Sequence, residues 1–143
     1  MTILDSNILL YAHDSRLPEQ PRMAAWLESL LADGESIGLP WVAIWAFLRI
    51  STNPRIWSHP KTVGEAFSII HEWLEQPGVI ALSPGPRHTV VLEKVISTWG
   101  ISGPLVTDAV FAALALEYGA TLASTDQGFR RFPDLRWINP LTV

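Results

Sequence analysis

Cysteine is absent from the sequence, and its absence excludes several kinds of site at once. Disulfides, zinc–thiolate sites, iron–sulfur clusters and a cysteine nucleophile all require a thiol. A protein without disulfides also suits the reducing conditions of the cytoplasm, where we expect this one to act.

The sequence has no hydrophobic run long enough to cross a membrane. Its longest uncharged stretch covers residues 36–48, whereas a transmembrane helix needs about 18 apolar residues or more. The first residues lack a positive segment, and Asp5 interrupts their apolar start, so they do not match the pattern of a signal peptide. We therefore expect no membrane partner.

The sequence has fewer basic residues than acidic residues. The chain has 10 Lys and Arg residues against 14 Asp and Glu residues, which gives a net charge of −4. A broadly basic surface is excluded, so contact with nucleic acid would depend on a local patch or on metal ions. Its 143 residues are 48% hydrophobic and 17% charged. That composition excludes a disordered chain and predicts one folded domain, residues 1–143.

Short apolar runs alternate with longer segments of helical periodicity. The predicted strands are residues 2–4, 36–39, 79–82, 121–124 and 136–138. The predicted helices are residues 6–13, 23–31, 41–51, 63–74, 88–99 and 104–118. Thr62 and Glu65 form the pattern of a capping box before the fourth helix. This alternation predicts a three-layer α/β/α domain around a mostly parallel sheet of four or five strands.

Three carboxylates fall at positions where a parallel sheet places its ligand sites. Asp5 ends the first strand and Asp126 follows the fourth, so both belong to the edge at the carboxyl ends of the strands. Asp108 lies near the start of an otherwise apolar helix, where burying an acid without a partner is costly. Singly, each also has a structural interpretation, as a helix or turn cap or as a charge at a helix N-terminus.

Together, three acids on one edge predict a shared cation. Crowded carboxylates repel one another, and a bound cation relieves the repulsion. Oxygen ligands without cysteine or paired histidine favour Mg²⁺ or Mn²⁺ over zinc. No two of the four histidines have the spacing of metal ligands; they are His13, His59, His71 and His88.

At these acids the sequence resembles the PIN-domain family. Three segments carry the resemblance: Ile3-Leu4-Asp5-Ser6-Asn7, Thr107-Asp108-Ala109 and Ala123-Ser124-Thr125-Asp126-Gln127-Gly128-Phe129. The stretch Ala112-Ala113-Leu114-Ala115, leading through Gly119-Ala120 to the last block, is especially similar to VapC-type toxins. The resemblance covers nearly the whole chain, and the Asp126 block is its most specific part.

The resemblance implies a PIN-like fold and a metal-dependent endoribonuclease that acts as the toxin of a toxin–antitoxin pair. It assigns Asp5, Asp108 and Asp126 as catalytic and metal-binding acids, with Asn7 and Thr125 in supporting positions. Mg²⁺, with Mn²⁺ as a substitute, would lower the pKa of a water nucleophile that hydrolyses RNA. The expected partners are the RNA substrate, a VapB-type antitoxin and a second copy of the chain in a homodimer.

The chain departs from the PIN pattern at one position. PIN domains usually carry a further glutamate early in the helix after the second strand, where this chain has Ala43, Ile44 or Trp45. Glu117 is no replacement, because it lies nine residues after Asp108 and so points to the opposite side of the helix. Two questions therefore stay open. One is whether the site holds one or two metal ions, and the other is whether the chain is a catalytically weak or inactive PIN-like module that binds RNA or protein. A haloacid-dehalogenase-like phosphatase is disfavoured, since its second aspartate and its lysine are missing.

Basic and aromatic residues complete the candidates. Four arginines are possible RNA contacts, although a solvated surface or internal ion pairs would explain them equally well; they are Arg49, Arg55, Arg130 and Arg131.

Seven tryptophans are many for this length, and core packing is their default role. Any that are exposed would mark a partner surface, because tryptophan is enriched at interface hot spots. The candidates are Trp26, Trp41, Trp45 and Trp57.

Overall fold

The computed structural model describes all residues from Met1 to Val143. Its strands are β1 (Thr2–Leu4), β2 (Ile37–Pro40), β3 (Val79–Leu82), β4 (Thr121–Ala123) and β5 (Trp137–Ile138). Its helices are α1 (Ser6–Ala12), α2 (Gln20–Ala32), α3 (Trp41–Ser51), α4 (Val63–Glu75), α5 (His88–Trp99) and α6 (Val106–Tyr118). Two short 3₁₀ turns cover Gly103–Leu105 and Gln127–Arg131.

The five strands form one parallel sheet in the order β3-β2-β1-β4-β5. The first strand is therefore central, and β4, although distant along the chain, is its direct neighbour. Leu4 of β1 lies opposite Ala123 of β4. The expected parallel α/β sheet is confirmed, with five strands rather than four.

Two hydrophobic cores lie on opposite faces of the sheet, and neighbouring residues of β1 point into different ones. Ile3 packs with residues of α5 and α6, among them Phe111. Leu4 packs with α1 to α4 through residues such as Met23 and Phe47. Both β1 side chains are fully buried, as the apolar sequence of a strand covered on both faces predicts. This arrangement is the three-layer architecture expected from the sequence.

The predicted capping box is present, since Thr62 and Glu65 exchange bonds between side chain and backbone at the start of α4. The start predicted for the last helix is wrong by two residues. Pro104 lies in a 3₁₀ turn, and α6 begins at Val106, whose N–H bonds back to the carbonyl of Gly103. A 3₁₀ turn is a common way to enter an α-helix, because its tighter bonds use N–H groups that the first helical turn leaves free. None of the helices is both long and apolar enough to span a membrane.

Candidate active site

The sheet brings two of the predicted acids to one edge. Asp5 directly follows β1, and its backbone N–H donates to the carbonyl of Ala123 at the end of β4, 3.0 Å away. Asp126 follows the same β4 strand two residues beyond Ser124. The third acid, Asp108, comes from the first turn of α6. The carboxyl edge of β1 and β4 therefore carries the acids, as expected for a parallel sheet.

The side chain of Asp5 is buried and held at both oxygens. Oδ1 accepts from the backbone N–H of Ser6 at 2.6 Å and from the Ser6 hydroxyl at 3.3 Å. Oδ2 accepts from the Ser124 hydroxyl at 2.7 Å and from the Asn7 amide at 3.2 Å. Asp5 also precedes α1 as its N-cap residue. Capping and a place at the site are therefore compatible roles for this residue.

Ser124 is the site residue that sequence reasoning missed. Its fully buried hydroxyl donates to Asp5 and accepts from the backbone N–H of Asp126 at 3.1 Å and the Asn7 amide at 3.1 Å. Thr125, named instead, contributes its backbone N–H, which donates to Asn7 Oδ1 at 3.2 Å. The available signal was the spacing of Ser124 and Asp126, because a serine commonly bonds the N–H two residues later in a turn.

Burial and like charge act together on these acids. Burial raises the pKa of Asp5 above its ordinary value; bonds from Ser124 and Ser6 oppose the rise, and the charge of Asp126 adds to it. Burial also raises the pKa of Asp108, again with a contribution from Asp126, while the positive charge of Arg131 opposes it. Asp126 is thus close enough to influence both other acids, and the group carries mutual repulsion that a cation would relieve.

Asp126 itself is exposed to solvent. Its Oδ1 accepts from the backbone N–H of Gly128 at 2.8 Å, at the start of the second 3₁₀ turn. This bond confirms the capping interpretation of Asp126. Its other oxygen accepts no bond within the protein, so it is available to a ligand from solvent.

The residues at the place of the missing glutamate supply no ligand. Ala43 and Ile44 are buried in the two hydrophobic cores, and Trp45 is 63% exposed. No group of three or more acidic or histidine side chains is arranged closely enough to hold a metal ion as the side chains stand. The donor set nevertheless suits a hard divalent cation, because it offers carboxylate oxygens that repel one another.

Glu117, His88 and His13 bond to partners other than these acids. Glu117 Oε2 lies 2.6 Å from Nδ1 of His88, which joins the end of α6 to α5. His13 Nε2 accepts from the indole N–H of Trp73 at 2.8 Å. Burial, helped by the charge of Lys61, lowers the pKa of His13 to about 4, which keeps its ring neutral.

The structure separates the four candidate arginines. Arg131 is the candidate whose charge acts on one of the acids, Asp108. The guanidinium of Arg130 instead lies 5.7 Å from the centre of the Trp137 ring. Arg49 is exposed at the last turn of α3, and Arg55 is exposed in the loop beyond it. No hydrogen bond or ion pair joins Arg49 or Arg55 to the acids, and their contact with RNA stays a prediction.

Two of the candidate tryptophans are exposed on one helix. Trp41 is 39% exposed and Trp45 is 63% exposed, and a separation of four residues places them on the same side of α3. Trp26 and Trp57 are half-buried, and the indole N–H of Trp57 donates to the carbonyl of Ile50. The surface of α3 is therefore the better candidate for a partner contact.

The sequence profile of the PIN domain matches residues 2–135. Ribonuclease VapC33 of Mycobacterium tuberculosis is 38% identical over 141 residues, which cover 99% of this chain and 99% of the relative. Ribonuclease VapC31 of the same species is 36% identical over 140 residues, with 98% of this chain and 99% of the relative covered. The profile match includes the positions of all three acids and ends just before β5.

Solved structures show the same fold at lower sequence identity. One chain of VapBC2 from Rickettsia felis, bound to a DNA fragment from its promoter, superimposes with a TM-score of 0.73 at 18% identity. That match covers 96% of this chain and 97% of the other. A chain of FitAcB from Neisseria gonorrhoeae gives a TM-score of 0.65 at 21% identity, with 100% of both chains covered.

Proposed function

This chain belongs to the PIN-domain family, and we propose on that premise that it is a metal-dependent endoribonuclease, the toxin of a toxin–antitoxin pair. The observation that carries the proposal is that Asp5 and Asp126 follow neighbouring strands at the carboxyl edge of the sheet, where the charge of Asp126 acts on both Asp5 and Asp108. The full-length similarity to proteins named VapC ribonucleases supports it.

Asp5, Asp108 and Asp126 would hold Mg²⁺, or Mn²⁺ in its place. A divalent cation supplies charge stabilisation at the scissile phosphate and lowers the pKa of the attacking water. The raised pKa values of Asp5 and Asp108 support this assignment, since a carboxyl group that is costly to ionise alone gains from a cation.

The chain's own residues orient the reaction. The Asp5 carboxylate is held in one direction by bonds from Ser124, Asn7 and the N–H of Ser6. It therefore loses little further conformational entropy when it binds a ligand. The water oxygen forms a new bond to phosphorus as the bond from phosphorus to the 3′ oxygen breaks. The leaving oxygen keeps the electron pair and takes up a proton. The products are a 5′-phosphate and a 3′-hydroxyl, and no covalent intermediate with the protein is needed.

The missing fourth acid limits what the site would hold. Ala43 and Ile44 are buried and apolar, so α3 provides no carboxylate to a second ion. We propose a site that binds a single divalent cation, and binds it more weakly than a four-acid site would. A calorimetric titration that finds two tight Mn²⁺ sites would contradict this part of the proposal.

The proposed partners are RNA, a VapB-type antitoxin and a second copy of the chain. The names of the relatives and of the similar structures support the first two. The exposed pair Trp41 and Trp45 on α3 offers a surface for protein contact. We place the activity in the cytoplasm, where RNA substrates are found.

A catalytically weak or inactive module that binds RNA or protein is the second candidate function. The observation in its favour is the absence of an acid from the first turns of α3. Metal affinity and turnover distinguish the two candidates, because only the enzyme requires both.

The decisive experiment is cleavage of a pool of structured RNAs by purified, antitoxin-free protein in Mg²⁺ and in Mn²⁺. Parallel reactions contain EDTA or the variants Asp5→Asn, Asp108→Asn and Asp126→Asn. Asp108→Asn is the cleanest variant, because the Asp108 side chain makes no hydrogen bond that the substitution would disturb. Cleavage that needs the metal and all three acids supports the enzyme. A folded protein that neither cleaves RNA nor binds metal would support the binding module.

A further inference from the structure

We propose that Arg131 binds the scissile phosphate, with Gly128 as the residue that positions it beside the acids. This inference rests on the proposed function and deepens it, because it assigns the anion-binding group of a site otherwise built from carboxylates. The carboxylates by themselves repel the negatively charged substrate, so a fixed positive side chain beside them adds attraction to that of the proposed cation.

The second 3₁₀ turn ties Arg131 and Asp126 to the same glycine. Arg131 Nε donates to the carbonyl of Gly128 at 2.9 Å, and the N–H of Gly128 donates to Asp126 Oδ1 at 2.8 Å. One peptide segment therefore sets both the carboxylate and the guanidinium, which fixes their relative position without a direct bond between them.

Arg131 keeps most of its hydrogen-bonding capacity free. Its Nε–H is bonded to Gly128, and its guanidinium forms no ion pair with Asp108 or Asp126. The remaining N–H groups form a planar fork that matches two oxygens of a phosphate. A guanidinium that sits near acids yet is anchored to a backbone carbonyl is ready for an incoming anion.

The neighbouring Arg130 provides a comparison, because it lacks the contact with Gly128 that Arg131 makes. It is exposed, and its guanidinium lies over the ring of Trp137. The two residues carry the same charge and are adjacent in sequence, but they contact different parts of the fold. Loss of charge at the two positions should therefore have unequal effects on the reaction.

A side chain at Gly128 would crowd both groups. A Cβ placed there would lie 3.0 Å from Asp126 Oδ1 and 3.2 Å from Arg131 Nη2. Either the carboxylate or the guanidinium would have to move. Gly128→Ala therefore displaces the proposed pair while it keeps every charge of the site.

The test compares Arg131→Gln, Arg131→Lys and Gly128→Ala with Arg130→Gln and with Lys94→Gln, a loss of charge on the exposed surface of α5. Circular dichroism and thermal unfolding verify that each variant is folded. Cleavage of the RNA pool in Mg²⁺ gives kcat and KM. Binding of a short fluorescein-labelled RNA is measured by anisotropy in an Asp108→Asn background, from about 50 to 200 mM KCl, because each lost phosphate contact lowers the salt dependence.

We expect Arg131→Gln to lower kcat/KM by about 100- to 1,000-fold, as loss of one group that stabilises transition-state charge does. Its slope of log Kd against log salt should be smaller by roughly 0.7. Arg131→Lys should recover the slope but only part of kcat, since lysine lacks the fork. Gly128→Ala should lower kcat, Arg130→Gln should have a much smaller effect, and Lys94→Gln should have none.

Equal kcat and equal salt slopes for Arg131→Gln and Lys94→Gln would overturn the inference, while cleavage by the unmodified chain would leave the proposed function standing. If the unmodified chain binds but does not cleave RNA, the proposed function fails and the salt slopes still decide the role of Arg131. If Arg131→Gln does not fold, Arg131→Lys and Gly128→Ala decide, and full kcat in both would overturn the inference.

Discussion

The two ends of α6 each carry a carboxylate, and the structure treats them in opposite ways. The side chain of Asp108 in the first turn has no hydrogen-bond donor, and the charge of Asp126 adds to the pKa rise that burial causes. Glu117 near the last turn is bonded at one oxygen to His88, 2.6 Å away, with the other oxygen buried and unpartnered. One helix thus holds an acid without a hydrogen-bond donor, offset only by the charge of Arg131, and one acid that joins two helices.

The two carboxylates differ in whether the fold itself accounts for them. A protein gains stability when a buried carboxylate has a donor, and it loses stability when carboxylates are crowded. Asp108 therefore persists at a cost to folding, and that cost is explained when the group has a ligand. The burial of Glu117 is explained by its contact with His88, without any ligand.

The largest expected difference between the two ends is in activity. Asp108→Asn should reduce RNA cleavage by about 1,000-fold or more, because it removes one of the proposed cation ligands. Glu117→Gln should leave cleavage close to that of the unmodified chain. Initial rates on the RNA pool measure both. Equal losses in the two variants would contradict the distinction between the ends of α6.

The second expected difference is in the response to metal. At a Mn²⁺ concentration 100 times its Kd, binding to the folded state alone should stabilise the protein by about 2.7 kcal/mol. Thermal unfolding should show this as a rise in Tm that Asp126→Asn abolishes and Glu117→Gln keeps. A Tm that does not respond to Mn²⁺ or Mg²⁺ in the unmodified chain would count against the proposed cation.

The third expected difference is in stability without metal. Glu117→Ala leaves the half-buried His88 ring without its acceptor, which should lower the free energy of unfolding by about 1–3 kcal/mol. Urea denaturation in EDTA measures it. His88→Asn combined with Glu117→Ala should cost less than the sum of the two single changes, since both remove the same bond. Additive effects would show that the pair contributes nothing through its contact.

The smallest expected effect is a pH-dependent gain from Asp108→Asn. The pKa of Asp108 is raised in the folded state, so the folded protein binds this proton more tightly than the unfolded chain. Its ionisation therefore costs stability as the pH rises above the ordinary value of 3.8. Without metal, Asp108→Asn should raise Tm slightly at neutral pH, with the gain vanishing at pH below that value. A gain that is constant with pH would point to packing instead.

Much of this arrangement was predictable from local patterns in the chain. Periodicity located every strand and helix to within a few residues, and the acids after β1 and β4 could be placed on one edge because parallel strands share a direction. Ser124 was missed because its role depends on the direction of one hydroxyl relative to Asp5, which no linear pattern records. Arg130 and Arg131 were equivalent in sequence and became different only through their contacts.

The class of fold, the edge that carries Asp5 and Asp126, and the family follow from the order of residues, their periodicity and a few motif residues. The tertiary structure decided which groups meet. It placed β4 beside β1 although more than one hundred residues separate them, and so joined Ser124 to Asp5. It also set Arg131 against Gly128 and Arg130 against Trp137. The physical reason is that burial, repulsion and hydrogen bonding act over a few ångströms in space, whatever the separation along the chain.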